Sequence, residues 1–247
     1  MSNSFIRFVN LEKAFGPKKV LRGVDLTVDR GETVVVLGGS GSGKSVLLRH
    51  AVGLVRPDAG QVFVEELEIS RLDEDELQET RKKVGMLFQS GALFDSMTVR
   101  ENVSFALVEH TDWDEARVLA RAEEVLALVE LDGALDLMPS DLSGGMRKRV
   151  ALARAIALAP AAILYDEPTT GLDPITANTI NHLIRSLQKR LGVTSVVVTH
   201  DIHSAFAVGD RIAFLHEGRI LFHGTTAEAR TAAEPLLRNF LQGGGYA

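Results

Sequence analysis

The run Thr33–Leu37 is apolar and β-branched, and it leads straight into a loop with glycine at positions 38, 39, 41 and 43. Lys44 and Ser45 follow, and then Leu47, Leu48, Ala51 and Val52 recur at helical spacing. A strand with no polar alternation is covered on both faces, which is the habit of parallel sheets. Parallel strands need long crossovers, usually helices. This one segment therefore restricts the chain to an α/β architecture.

Gly38, Gly43, Lys44 and Ser45 fit the phosphate-loop spacing G-x-x-x-x-G-K-[ST], with Gly39, Ser40, Gly41 and Ser42 between. Glycines let backbone N–H groups curl around phosphate oxygens, and the following helix points its positive end at them. Lys44 supplies a point charge for the outer phosphates, and Ser45 offers a hydroxyl to Mg²⁺.

The remaining chain extends the alternation of strands and helices. Val24, Leu26 and Val28 alternate with polar residues, as in a half-buried strand. Pro57–Gly60 reads as a turn and Gln61–Ile69 as a further strand. Residues 90–159 are mostly helical by pattern, with Val118, Leu119, Ala122, Val125, Leu126 and Val129 on one stripe and another helix starting near Met146. Ala162–Tyr165 and Thr194–Thr199 are buried-strand candidates flanking a helix over Ile175–Arg190, which Gly192 ends. Arg211–Leu215 and Arg219–His223 flank Glu217-Gly218 as a hairpin, and Gly243–Gly245 is expected to be loose.

Composition excludes some functions. A net charge of −6 and a pI near 5.7 argue against a bulk nucleic-acid binder. No cysteine is present, so disulfides and thiolate metal sites are ruled out. Met1–Asn10 lacks the basic-then-apolar pattern of a signal peptide, and no apolar run nears the ~18 residues of a membrane helix. The chain is expected to be soluble alone and to meet a membrane only through a partner.

Two further segments carry chemistry. Asp166-Glu167 ends the apolar stretch Ile163–Tyr165. Beside a phosphate loop, Asp166 would hold Mg²⁺ through water and Glu167 would polarise an attacking water; alone, such a pair is more often a turn or a helix cap. Leu142-Ser143-Gly144-Gly145 precedes a helix and offers a second set of free N–H groups. One nucleotide does not need two phosphate cradles in one chain, whereas two facing chains do.

Taken together, these blocks resemble the ATPase subunits of ABC transporters over nearly the whole chain. Gly38–Ser45 resembles the Walker A loop, Gln89 the Q-loop and Leu142–Met146 the signature. Ile163–Glu167 resembles the Walker B strand, Gly171–Asp173 the D-loop and His200 the switch histidine. The resemblance implies a P-loop NTPase with a RecA-like, mainly parallel sheet, an N-terminal antiparallel β-subdomain and an inserted α-helical subdomain. It implies one domain over 1–247, with the core at 1–89 and 160–247 and the helical part at about 90–159. It further implies ATP and Mg²⁺ as ligands, with Gly38 to Val46 around the phosphates. Phe15 would stack on adenine, the alternative being a core strand aromatic. Gln89 would touch Mg²⁺ or the water and sense a permease, and His200 would contact the γ-phosphate. Asp173 would reach the other subunit, cap a helix, or do both. Ser143, Gly144 and Gly145 would bind the γ-phosphate held by a second copy. Three positions depart from the family pattern: Met146 for Gln, Gly39 for Pro and Val46 for Thr.

Gln89–Asp95, Leu142–Arg149, Lys44–Leu48 and the tail Leu237–Leu241 are similar to the Mla/Mce-type lipid-transport ATPases. That similarity implies a homodimer on the cytoplasmic side of an inner membrane. Its partners would be integral-membrane permease subunits, a periplasmic Mce-type lipid-binding component and a small cytoplasmic regulatory subunit; no nucleic acid is implied. An ABC ATPase for another solute, or a soluble one outside transport, remains as the alternative.

Overall fold

The computed structural model describes residues 3–243. Within the Gly243–Gly245 run only Gly243 is described; the rest of that run and the tail to Ala247 lie outside the described residues.

Two sheets organise the molecule. The first is antiparallel, ordered β2(Lys18–Asp29), β1(Ser4–Phe15), β4(Ala59–Val64), β5(Leu67–Glu68). The expected strand over Gln61–Ile69 is in fact split. Glu65 has a left-handed backbone (φ 57°), so the chain reverses at Glu65-Glu66 and ends in a 3₁₀ turn at Ile69.

The second sheet has the order β10(Arg219–Thr225), β9(Arg211–His216), β3(Thr33–Leu37), β8(Thr194–Thr199), β7(Ala162–Asp166), β6(Val84–Leu87). It is parallel from β9 to β6, with β10 as an antiparallel edge. Every residue of β3, β7 and β8 is buried, as their unbroken apolar runs require. One face of this sheet packs on the antiparallel sheet and α1(Lys44–Ala51). The other packs on α5(Gly144–Ile156), α6(Pro174–Leu191) and α7(Ile202–Val208).

Between β6 and β7 the chain forms α3(Val99–His110), α4(Glu115–Leu128) and α5, which pack on one another. α5 begins at Gly144, two residues before the expected Met146, because Ser143 accepts a hydrogen bond from the Met146 N–H (3.2 Å) and caps the helix there. The short helices α2(Glu74–Lys82), α8(Thr226–Arg230) and α9(Pro235–Leu241) cover the edges. No helix of the described residues is long and apolar enough to cross a membrane.

Candidate functional site

The carboxyl ends of β3, β7 and β8 converge, and their loops build the site. Among the described α-helices, α1 alone starts without a side-chain cap. Its N-cap is Gly43, at φ 107°. A Cβ there would lie 3.0–3.2 Å from Leu21 and Val20, so glycine is demanded by backbone conformation and by space. Gly38 is equally confined, since a Cβ would meet the Leu215 carbonyl oxygen at 2.3 Å. Ser42 Oγ is buried in this loop with no hydrogen-bond partner among the described residues. Uncapped helix donors, an orphaned hydroxyl and a buried ammonium together suit a phosphate chain.

Lys44 is only 5% exposed. Its Nζ donates to the carbonyl oxygens of Gly38 (2.9 Å) and Gly39 (3.0 Å) and lies 3.4 Å from Glu167 Oε1. Ser45 Oγ donates to Asp166 Oδ1 at 2.7 Å. Burial raises the Asp166 carboxyl above its ordinary value, against the opposing hydrogen bond from Ser45.

Glu167 has a left-handed backbone, φ 48°, unusual for a residue with a Cβ. One of its carboxylate oxygens, Oε2, takes three partners: His200 Nδ1 (2.9 Å), Thr170 Oγ1 (3.1 Å) and Thr199 Oγ1 (3.3 Å). Burial pushes its pKa up, but the hydrogen bonds from His200 and Thr170 and the Lys44 and His200 charges pull it down, and the carboxyl sits below its ordinary value. It is an ionised carboxylate at neutral pH.

A cleft of about 440 Å³ opens over these groups. Ser40, Gly41, Gly43, Lys44, Ser45, Val46, Gln89, Glu167 and His200 line it, so nine residues picked from sequence meet on one wall system. Lys18 and Val20 also line it and were not singled out by sequence. They come from β2, at the hairpin where Lys18 pairs with Phe15. No motif marks them; only the pairing register brings them over the loop.

Phe15 is not in the cleft lining; it stands at the hairpin tip, 50% exposed, with Lys13 Nζ 5.4 Å from its ring centre. The core-aromatic alternative is therefore excluded. Asp173 caps α6, accepting from the Ile175 N–H (3.0 Å), the Thr176 N–H (3.1 Å) and Thr176 Oγ1 (2.6 Å). Ser143 and Gly144 are exposed and Gly145 is buried against Thr176. None of these four lines the cleft of its own chain. Met146 is half-buried and packs on the core, where an apolar side chain is at home.

A larger hollow, about 680 Å³, lies along the segment that follows Gln89. Met86, Phe88, Phe94 and Phe105 give it an apolar floor, and Arg81 and Lys82 a basic rim. It shares no residue with the cleft over the phosphate-loop residues.

Known proteins place this geometry. The ABC transporter family pattern matches residues 21–170. The chain is 41% identical to the intermembrane phospholipid transport system ATP-binding protein MlaF of Escherichia coli, over 92% of this chain and 85% of that protein. It is also 41% identical to the methionine import ATP-binding protein MetN of Mesorhizobium japonicum, over 90% of this chain and 61% of that one. It spans 65% of the length of a mycobacterial relative, a probable ribonucleotide transport ATP-binding protein. A dimeric, post-hydrolysis structure of the ATP-binding cassette MJ0796 with ADP and Pi superposes with a TM-score of 0.82 at 36% identity, covering 89% of this chain and 98% of that one. The chain belongs to the ABC transporter family and is one of its ATP-hydrolysing cassettes.

Proposed function

We propose that two copies of this chain clamp two ATP molecules at their interface and so power phospholipid movement across the cell envelope through a separate membrane-spanning permease. The observation that carries the ATP half is the uncapped start of α1, set beside Lys44, Glu167 and His200 in one cleft, with Asp166 bonded to Ser45 of the cleft wall. Lys44 would exchange its loop carbonyls and Glu167 for phosphate oxygens. Among the described residues Glu167 Oε1 has Lys44 as its one polar partner, while Oε2 is held by three groups. Once Lys44 turns to phosphate, Oε1 is the oxygen left to accept a proton from water. His200, half-exposed at the cleft mouth, orients Glu167 and would face the γ-phosphate.

Ser45 Oγ and Asp166 Oδ1 lie 2.7 Å apart with Gln89 on the same wall, an oxygen-rich donor set that fits Mg²⁺. Bound there, the metal would neutralise charge on the phosphate oxygens. Phe15, exposed at the hairpin tip, would offer its ring to adenine. Asp173, Ser143, Gly144 and Gly145 belong to the face that would meet the second copy.

The hollow beside Gln89 is the surface we assign to the permease. It adjoins the Gln89–Phe94 segment, so movement there would reach the cleft. The phospholipid cargo rests on likeness to the Escherichia coli protein, 85% of whose length the chain spans, and on the Gln89–Asp95 and Leu142–Arg149 segments. It implies attachment to the cytoplasmic face of an inner membrane, a periplasmic Mce-type lipid-binding component and a small regulatory subunit. Equal identity to the methionine importer ATPase favours a second reading, a cassette for a different solute. Purifying the chain with its native permease and extracting bound molecules for mass spectrometry separates the two. Stoichiometric phospholipid is the expected result; a polar solute with no lipid would replace the first reading by the second.

A further inference from the structure

Lys148 lies five residues beyond Ser143 on α5 and is 6% exposed. Burying an ammonium is costly, and an apolar side chain of the same length would fill this space without that cost. Both hydrogen-bond partners of Lys148 are backbone carbonyls. Its Nζ makes a short bond to the Gln89 carbonyl oxygen and a 3.4 Å contact to that of Glu167. Those two residues supply the side chains on the catalytic wall of the cleft. Each also needs holding. Glu167 is itself left-handed, and Gln89 leads into Gly91 and Ala92, at φ 80° and 49°.

α5 secures the second stretch with another cation. Arg154 donates to the carbonyl oxygens of Gly91 (2.9 Å) and Ala92 (2.7 Å). Lys148 is different in that it also reaches the Glu167 peptide at the end of β7.

We propose that Lys148 is a positioning residue for ATP hydrolysis, holding the Gln89 and Glu167 backbones on one ammonium so that their side chains stand in register with the phosphates. This rests on the reading of Glu167 as the base and of Ser143–Gly145 as the face for a second copy. Ser143 and Lys148 are about 7.5 Å apart along one rigid helix. A second copy whose nucleotide pulls on the start of α5 therefore moves the anchor of both catalytic side chains in the first. The chain's two half-sites are linked by a single rod.

The test compares full-length Lys148→Met, Lys148→Arg and Glu167→Gln proteins for kcat, KM, equilibrium ATP affinity and melting temperature. Lys148→Met should lower kcat by about ten-fold or more, the scale set by misplacing a reacting group. KM and ATP affinity should stay within about two-fold, since the donors to phosphate are untouched. Lys148→Arg, which keeps charge and donors, should recover at least about a third of kcat. A kcat loss under about five-fold in Lys148→Met overturns the proposal. So does an equal loss in Lys148→Arg accompanied by an equal drop in melting temperature, the mark of a packing role. If Lys148→Met does not fold, Lys148→Gln takes its place under the same criteria. Normal turnover in Glu167→Gln would instead remove the base assignment, whatever Lys148 does.

Discussion

The starts of α1 and α5 are both glycine-flanked helix N-termini, yet they are finished differently. α1 opens from Gly43 with no side-chain cap, and its loop is walled in by Leu21, Val20 and Leu215. α5 is capped by Ser143, and its Ser143-Gly144 step faces solvent. The first is a pocket completed by its own chain. The second stands outside the cleft that α1 serves and is, on the proposed reading, half of a pocket that another copy completes. On the proposed reading, the difference teaches that one copy would bind a nucleotide but lack the second wall for it.

The largest effect tests the chemistry on the α1 side. Glu167→Gln should slow turnover by about 10²–10⁴-fold, the usual weight of a general base, while ATP binding persists. Steady-state hydrolysis with equilibrium binding reads both. The next sharpens the contrast directly. Ser143→Arg should cost about 10²–10³-fold in turnover and leave the ATP affinity of the single chain unchanged. Lys44→Ala should lose that affinity. Loss of monomer affinity in Ser143→Arg would break the comparison.

Two glycines give a smaller, paired effect. Gly43→Ala forces a side chain into left-handed backbone and tight contact, and should cost about 1–3 kcal/mol of stability as well as nucleotide binding. Gly144→Ala meets nothing nearer than Leu172 at 3.5 Å, so it should fold normally and lose only turnover. Chemical denaturation distinguishes them.

The smallest effect concerns the far end of α1. His50 is buried, its Nδ1 bonded to the Val46 carbonyl (2.7 Å) and its Nε2 unpartnered. Burial lowers its pKa from 6.5, so below pH 6.5 the unfolded chain takes up a proton that the native one resists. Stability is therefore intact above that pH and falls beneath it, by at most about 1.4 kcal/mol per pH unit. His50→Leu should flatten part of the melting-temperature decline between pH 7 and 5; His223, lowered by burial in the same way, keeps the rest.

The phosphate loop, β3, β7, β8 and α6 are legible in sequence because local chemistry and tertiary burial ask for the same residues. Gly192 ends α6 at φ 65°, as its type suggests. β1 is harder to read, because bulges and a left-handed Asn10 break its alternation. α3 hides its stripe because Asn102 and Ser104 are on the buried side, Asn102 holding the Phe94, Met97 and Thr98 carbonyls. α2 buries only Leu77 and Thr80, too little to form a stripe. In the site, Lys44, Ser45, Asp166, Glu167 and His200 are marked by motif. Lys18, Val20 and Lys148 lie at or beside the site only because the fold delivers them there, and no spacing announces them.

Whether a twin supplies the missing wall is decided most directly by sedimentation of Glu167→Gln protein with ATP and Mg²⁺, alone and with Ser143→Arg added in the same chain. The single variant should sediment as a nucleotide-dependent dimer, and the double variant should stay monomeric with ATP still bound. An ATP-dependent dimer of undiminished strength in the double variant would contradict the shared pocket.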